Sequence, residues 1–254
     1  MKKMKIGILG VGNIGKIIAL RTAAAGHDVK VANSGDPKTV AADVLATGAR
    51  AEWTKDVVKD IDVVILSIPF FKMPALRPLI AILPEETVVI DTSNYYPGRE
   101  GFYTGRDPVI PELDKEKSET EWIQEQLGRP VVKAWNNILS ETLDKKSHPK
   151  GHAERLAIAI AADRPRDLEV AKKLVELTGF DAFHTGSIKE SWRQQPGAPA
   201  YCTDLKASEL PEALAATERS RLPARRDFAM GVLEERGWTV PSGFIARLNN
   251  VLYR

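Results

Sequence analysis

The stretch Lys5-Ile-Gly-Ile-Leu-Gly10-Val-Gly-Asn-Ile-Gly15 decides how the rest of the chain is read. A short apolar run enters a turn in which Gly10, Gly12 and Gly15 hold the G-x-G-x-x-G spacing. An alanine-rich helical pattern follows directly, from about residue 13 to 25. Strand, glycine turn and helix in that order are the fingerprint of a dinucleotide-binding unit. Gly10 permits the tight turn, Gly12 lets backbone approach a pyrophosphate, and Gly15 lets the helix pack close to the strand. The helix start, at Asn13 and Ile14, then offers unpaired N–H groups and the positive end of its dipole to phosphate.

Outward from this unit the pattern repeats. Residues 28–32 read as a second strand, and 33–37 as a turn with Asp36 as N-cap and Pro37 opening a helix to about Gly48. A short strand is expected at 49–52 and a brief helix after Thr54. Residues 62–67 and 87–91 are β-branched runs of the kind buried on both faces of a parallel sheet, with a proline-marked helix at 74–83 between them. Residues 94–111 form a long Gly/Pro/Tyr-rich loop. Ser118 and Glu121 then make a capping box for a helix carrying Trp122, Ile123 and Leu127, and 131–135 is a sixth strand. Beyond a surface loop at 144–152, strands at 156–162 and 180–184 flank a helix at 165–178 and extend the sheet.

The expected fold is α/β: a Rossmann-type, doubly wound, mostly parallel sheet extended by extra strands, with a helical C-terminal extension. Residues 1–186 read as the dinucleotide-binding domain with its sheet extension. Residues 187–254 read as a smaller segment, with helices at 210–222, 224–236 and 242–252, that serves a substrate cleft and a dimer contact.

The end of the second strand selects the dinucleotide. NAD sites place Asp or Glu about 20 residues past the glycines to hold the ribose 2′-hydroxyl. Here Asn33 and Ser34 stand there, and Lys38 is close by. Both short side chains donate hydrogen bonds and no carboxylate repels a 2′-phosphate, which favours NADP(H) over NAD(H). Asp36 counts against this unless it caps the following helix, and a plain turn is the alternative for 33–35.

Together with later motifs, these residues resemble a known family. Gly10-Val-Gly-Asn-Ile-Gly15, Ala32-Asn-Ser34, Ser67-Ile-Pro69, Asp91-Thr-Ser-Asn94 and Lys133-Ala-Trp-Asn136 are similar to the NADP oxidoreductases that depend on the deazaflavin coenzyme F420. Gly179-Phe-Asp181, Gly186-Ser187 and Trp192-Arg-Gln-Gln-Pro-Gly197 extend the resemblance over residues 5–201. It implies NADPH as cofactor and a cleft where nicotinamide meets a deazaflavin or flavin, with hydride passing between the rings. One departure is Gly35-Asp36-Pro37, where family members often carry an arginine after Asn-Ser; the inferred grip on the 2′-phosphate is weaker for it.

Carried over by position, Ser67, Ile68 and Pro69 line ribose and nicotinamide at the carboxyl edge of the fourth strand, though Pro69 serves equally as a strand terminator. Asn94 either bonds the nicotinamide or opens the loop as an Asx turn. Lys133 and Asn136 contact the second substrate, or else form a strand-end surface charge and a helix-opening turn. Trp192 with Gln195, Pro196 and Gly197 walls the acceptor ring, although Trp192 is as readily a core aromatic.

Hydride transfer between two rings needs stacking and exclusion of water rather than a dedicated acid or base. No Ser-His-Asp or paired-carboxylate signature stands in the chain, so no catalytic residue is assigned. No metal site is assigned either: Pro149 and Gly151 between His148 and His152 exclude a helical ligand pair. A net charge of +2 gives no reason to expect nucleic acid. No run approaches the roughly 20 apolar residues of a membrane helix, and the first residues lack the apolar length and cleavage site of a signal peptide. Cys202, read as a small loop residue, forms no intrachain disulfide and fits a reducing compartment. The expectation is a cytoplasmic enzyme with a small-molecule redox substrate. The leucine- and arginine-bearing tail suggests a homodimer, while Arg219, Arg221, Arg225 and Arg226 meet an acidic substrate tail, form a solvated helix face, or make a dimer contact beside Glu218 and Asp227. The alternatives are an NADP(H)-dependent dehydrogenase or imine reductase acting on a small metabolite, and a non-catalytic NADP(H)-binding sensor.

Overall fold

The apolar run at the start of the chain forms strand β1 (Lys5–Leu9), with Ile6, Ile8 and Leu9 buried. The structure is a computed structural model that describes residues 3–97, 109–237 and 240–254. After β1 come α1 (Asn13–Ala24), β2 (Asp28–Ala32), β3 (Arg50–Ala51), α2 (Thr54–Val57), β4 (Val63–Leu66), α3 (Arg77–Ile80) and β5 (Val88–Asp91). They are followed by α4 (Glu119–Leu127), β6 (Val132–Lys133), α5 (Ser140–Lys145), β7 (Ala157–Ala161), α6 (Pro165–Leu177) and β8 (Asp181–Gly186). Three further helices, α7 (Leu210–Ala215), α8 (Leu222–Glu235) and α9 (Ser242–Tyr253), complete the chain.

The strands form one eight-stranded sheet in the order β3-β2-β1-β4-β5-β6-β7-β8. Its pairings are parallel except between β6 and β7. Successive strand residues point to opposite faces. Ile6, Ile8, Val29, Val31, Val63, Ile65, Val88 and Ile90 therefore bury one face against residues of α1, α5 and α6. Val64, Leu66 and Val89 bury the other against α4 and a 3-10 stretch, Phe70–Leu76, where Phe70 stacks on Trp122 at 4.9 Å between ring centroids. Coverage on both sides explains why the central strands read as unbroken apolar runs. Each fully buried Val or Ile contributes about 1.5–3 kcal/mol relative to exposure.

Several local expectations hold. The capping box is present, with Glu121 N–H donating to Ser118 Oγ and Ser118 N–H to the Glu121 carboxylate. Asp36 caps its turn, its carboxylate accepting from Lys38 N–H at 2.8 Å. Others need correction. The helix expected after Pro37 is two 3-10 turns, Pro37–Thr39 and Ala42–Leu45, because Val40 and Ala41 between them are extended. Instead of one helix at 74–83 the chain makes the 3-10 stretch and the single turn α3, since Pro74 and Pro78 withhold two N–H donors. The sixth strand shrinks to two residues because Trp135 takes a left-handed backbone (φ 56°). The expected surface loop at 144–152 begins within α5, which the sequence did not announce. The helix expected at 210–222 ends at Ala215, and α8 starts at Leu222. Residues 98–108 of the long loop lie outside the described residues.

The glycine turn is the tightest point of the sheet. Gly10 has φ +92°, and a Cβ there would lie 2.2 Å from the Ser67 carbonyl oxygen; one on Gly15 would lie 2.0 Å from the Gly10 carbonyl oxygen. Both overlaps are with backbone, which cannot yield by a rotamer change. Gly10→Ala is expected to lower stability by more than about 2 kcal/mol, combining left-handed strain with displacement of the Ser67 backbone at the end of β4. Urea denaturation checks this, and an unchanged midpoint would refute the packing described.

Candidate functional site

A cleft opens where the carboxyl ends of β1, β4, β5 and β6 meet the C-terminal part of the chain. This is the edge at which ligands of doubly wound sheets bind. Gly12 sits at its mouth with no heavy atom within 4 Å of the position a Cβ would take. It is the N-cap of α1, and no side chain caps that helix. Unpaired N–H groups and the helix dipole therefore face open space of the kind a pyrophosphate fills. Asn33 Oδ1 accepts from Val11 N–H at 3.0 Å and Gly10 N–H donates to Ala32 O at 2.8 Å, so the turn is tied to the end of β2. Of the expected cofactor residues, Gly12, Asn13, Ile14, Ser67, Ile68, Pro69 and Asn94 line the cleft, joined by Phe71 and Thr92. Gly10 and Gly15 lie beneath it as packing residues.

The inner wall is an amide network. Asn94 Nδ2 donates to Asn136 O (2.9 Å) and Asn94 Oδ1 accepts from Asn136 Nδ2 (3.1 Å). Asn136 Oδ1 accepts from Gln194 Nε2 (2.9 Å), and Gln194 Oε1 from Thr185 Oγ1 on β8 (2.7 Å). Asn136 thus meets the cleft through a fixed side chain, an arrangement fully satisfied buried amides enforce. Tyr96 and Tyr201 also line the cleft, their hydroxyls 2.5 Å apart. Cys202, expected in a polar loop, is buried and lines the cleft beside them. Burial pushes the Tyr201 phenol and the Cys202 thiol well up, so both stay protonated.

Trp135 and Cys202 both hold left-handed backbone, at φ 56° and 53°. Such conformations cost about 1–3 kcal/mol each and persist where neighbours impose them. Here Trp135 Nε1 donates to Thr178 Oγ1 (3.2 Å), Cys202 N–H to Asn137 O (3.0 Å), and Asn249 of α9 to the Tyr201 and Cys202 carbonyls. Among the described residues, no Asp, Glu, Lys, Arg or His side chain lines the cleft.

At the outer end, Ser34 and Gly35 share a shallow hollow with Trp53, Thr54 and Lys55. Lys38 is exposed and stands outside that hollow. Asp36 is engaged as a cap and does not oppose an anion there.

Residues 5–95 match the family described as NADP oxidoreductase, coenzyme F420-dependent. The protein YjhV of Escherichia coli (strain K12) is 44% identical over 86 residues, covering 32% of this chain; the chain spans 63% of the length of that relative. The SMa0349 protein of Sinorhizobium meliloti superimposes over 80% of this chain and 95% of its own, with 24% identity and a TM-score of 0.66. A candidate F420-dependent NADP reductase of Arthrobacter sp. FB24 does so over 74% and 87%, with 21% identity and a TM-score of 0.56. At these identities the two superpositions show the fold.

The later motifs that resemble the F420-dependent family do not all reach the cleft. Lys133 is fully buried, neither a surface charge nor turned toward a ligand. Its ammonium donates to Asp91 Oδ2 (2.7 Å) and Ser93 O (2.6 Å), with Glu119 Oε2 at 4.0 Å. Asp91 Oδ1 accepts from Ser93 N–H and Oγ–H, so the ion pair clamps the loop that carries Asn94 from below. Gln195 Oε1 accepts from Glu119 N–H (2.8 Å), and Pro196 borders a small void beside Arg226. Gly197 presses on α8, where a Cβ would lie 2.4 Å from Leu222 O. Trp192 joins an apolar cluster that includes Tyr96 and Leu139, with Arg193 and Arg219 over its ring. Arg226, expected at the surface, is buried and pairs with Asp114 and Asp227. These residues hold the wall rather than face the ligand space.

Glu119 carries the clearest electrostatic consequence. Desolvation raises its carboxyl from the ordinary 4.5 to about 8, opposed by the Lys133 charge and the Tyr95 N–H. Between those values the folded chain holds a proton that the unfolded chain has released. Stability contributed by the neutral acid is complete below the unfolded value and is lost as pH rises through about 8. Glu119→Gln, which keeps the shape without the charge, is expected to flatten this decline. Denaturation midpoints measured at pH 6 and pH 9 check it; parallel declines in wild type and variant would contradict it.

Proposed function

We propose that this protein binds NADP(H) along the carboxyl edge of its sheet and transfers hydride between nicotinamide and a deazaflavin (coenzyme F420) or flavin ring. The observation that carries the proposal is the cleft running from the open face of Gly12 past Ile68 and Pro69 to the Tyr96–Tyr201 pair, lined among the described residues by uncharged side chains. Small keto acids and amino acids call for a cationic side chain to hold their carboxylate. A planar ring calls for apolar walls and fixed amides, which is what this lining provides.

NADPH, when bound, supplies the hydride. Gly12 and the N–H groups at the start of α1 bind phosphate, and Asn33 keeps the turn in shape by holding Val11 N–H. Ile68, Pro69 and Leu139 exclude water from the reacting face. The Asn94–Asn136–Gln194 network fixes polar contacts at one edge, so that orientation costs little when the second ring arrives. The Tyr201 hydroxyl, kept neutral by burial and bonded to Tyr96, holds a proton at the wall where the acceptor lies.

The test uses purified protein with NADPH and, in separate reactions, coenzyme F420, FMN, FAD and a panel of imines and keto acids, following nicotinamide absorbance. Turnover is expected with the deazaflavin or a flavin and not with the keto acids. Binding of NADPH without reduction of any acceptor would favour a sensor; turnover confined to an imine or keto acid would favour a metabolite dehydrogenase. Gly12→Val is expected to keep the folding midpoint, since its side chain meets open space, while weakening NADPH by at least about tenfold through loss of close phosphate approach. Calorimetric titration measures it, and unchanged affinity would remove Gly12 from the site.

A further inference from the structure

The hollow beside Ser34 is built largely from residues on a neighbouring strand end. β3 pairs with β2 in parallel through Lys30↔Arg50 and Val31↔Ala51, and Glu52 N–H continues the ladder to Val31 O. This register brings residues 53–55 level with Asn33 and Ser34 at the carboxyl edge. Thr54 Oγ1 then donates to Asn33 O (3.2 Å), tying the segment to the residue that also holds the glycine turn.

Two features of this hollow have no structural use. Trp53 is 51% exposed, one of five large apolar side chains left to solvent among the described residues. Indole exposed beside polar side chains offers a flat face for a base to stack on. Lys55, in the same hollow, makes no ion pair among the described residues, although lysines nearby do: Lys59 pairs with Asp56 and Lys5 with Asp60. Residues 33–37, Asn-Ser-Gly-Asp-Pro, hold no lysine or arginine, so a 2′-phosphate beside Ser34 draws no cation from that turn.

Resting on the NADP(H) reading above, we infer that Trp53 and Lys55 form the adenosine end of the site, with the indole stacking on adenine and the Lys55 ammonium pairing with the ribose 2′-phosphate. Ser34 donates to the same phosphate. The cation missing from the turn after β2 is thus supplied from the segment after β3. Lys55 therefore sets the preference for NADP(H) over NAD(H), while Trp53 serves both dinucleotides.

The two roles separate in a binding experiment that needs no second substrate. NADPH and NADH are titrated calorimetrically into wild type, Lys55→Ala, Trp53→Ala and Trp53→Phe, with circular dichroism to verify folding. Lys55→Ala is expected to weaken NADPH by about tenfold and NADH by less than about twofold, as loss of one charge-assisted contact to a group only NADPH carries. Trp53→Ala is expected to weaken both by a similar factor of about ten, and Trp53→Phe to restore most of it by keeping an aromatic face. An NADPH-to-NADH ratio unchanged in Lys55→Ala, or affinities unchanged in Trp53→Ala, overturns the assignment while leaving dinucleotide binding intact. Failure of folded wild-type protein to bind either dinucleotide overturns it together with the proposed function.

Discussion

The close approach of backbone to backbone at Gly10 and Gly15 governs the rest of the molecule. Neither position has room for a Cβ, so α1 lies against the ends of β1 and β4 at a distance only glycine permits. That contact aims the uncapped start of α1 at the carboxyl edge of the sheet. The crowding ends abruptly at Gly12, which faces open space. A sterically closed floor with one open position is the geometry that dinucleotide-binding turns use to admit a pyrophosphate.

Behind the cleft, polar groups are held more tightly than packing alone would require. Lys133, Asp91 and Glu119 are buried together, and the ion pair grips the Ser93 backbone that leads to Asn94. Breaking such a pair by removing one partner typically costs about 3–5 kcal/mol, because the remaining charge is stranded. The same region carries the strained backbones of Trp135 and Cys202, pinned by Thr178, Asn137 and Asn249. Fixed amides and a neutral tyrosine pair leave the cleft, among the described residues, polar in detail but without charged side chains.

Much of the fold was legible because its signals are local and repeated. The glycine spacing, the β-branched runs of β4 and β5, and the Ser118–Glu121 capping box each follow from a few adjacent residues. The short elements were not legible: at Pro37, Pro74 and Pro78, proline fixes one dihedral without saying whether an α-turn or a 3-10 turn follows. The lining of the candidate cleft was legible after β1 and at the ends of β4 and β5, where strand-end position places residues at the carboxyl edge. It was not legible for Lys133, whose burial depends on Asp91 and Glu119 arriving from distant parts of the chain. Nor did it show that Tyr96, Tyr201 and Cys202 converge on the cleft, since α9 brings the second pair there through Asn249. Trp53 and Lys55 left a fainter trace, an aromatic and a cation directly after the third strand, which gains meaning only once that strand's register beside β2 is known.

The most direct measurement is a crystal structure of the protein soaked with NADP+. The pyrophosphate is predicted over Gly12, the nicotinamide against Ile68 and Pro69 within reach of Asn94, and the 2′-phosphate beside Ser34. A dinucleotide bound elsewhere, or bound with its pyrophosphate away from the start of α1, would contradict the central claim that the glycine turn and the strand-end cleft form one site.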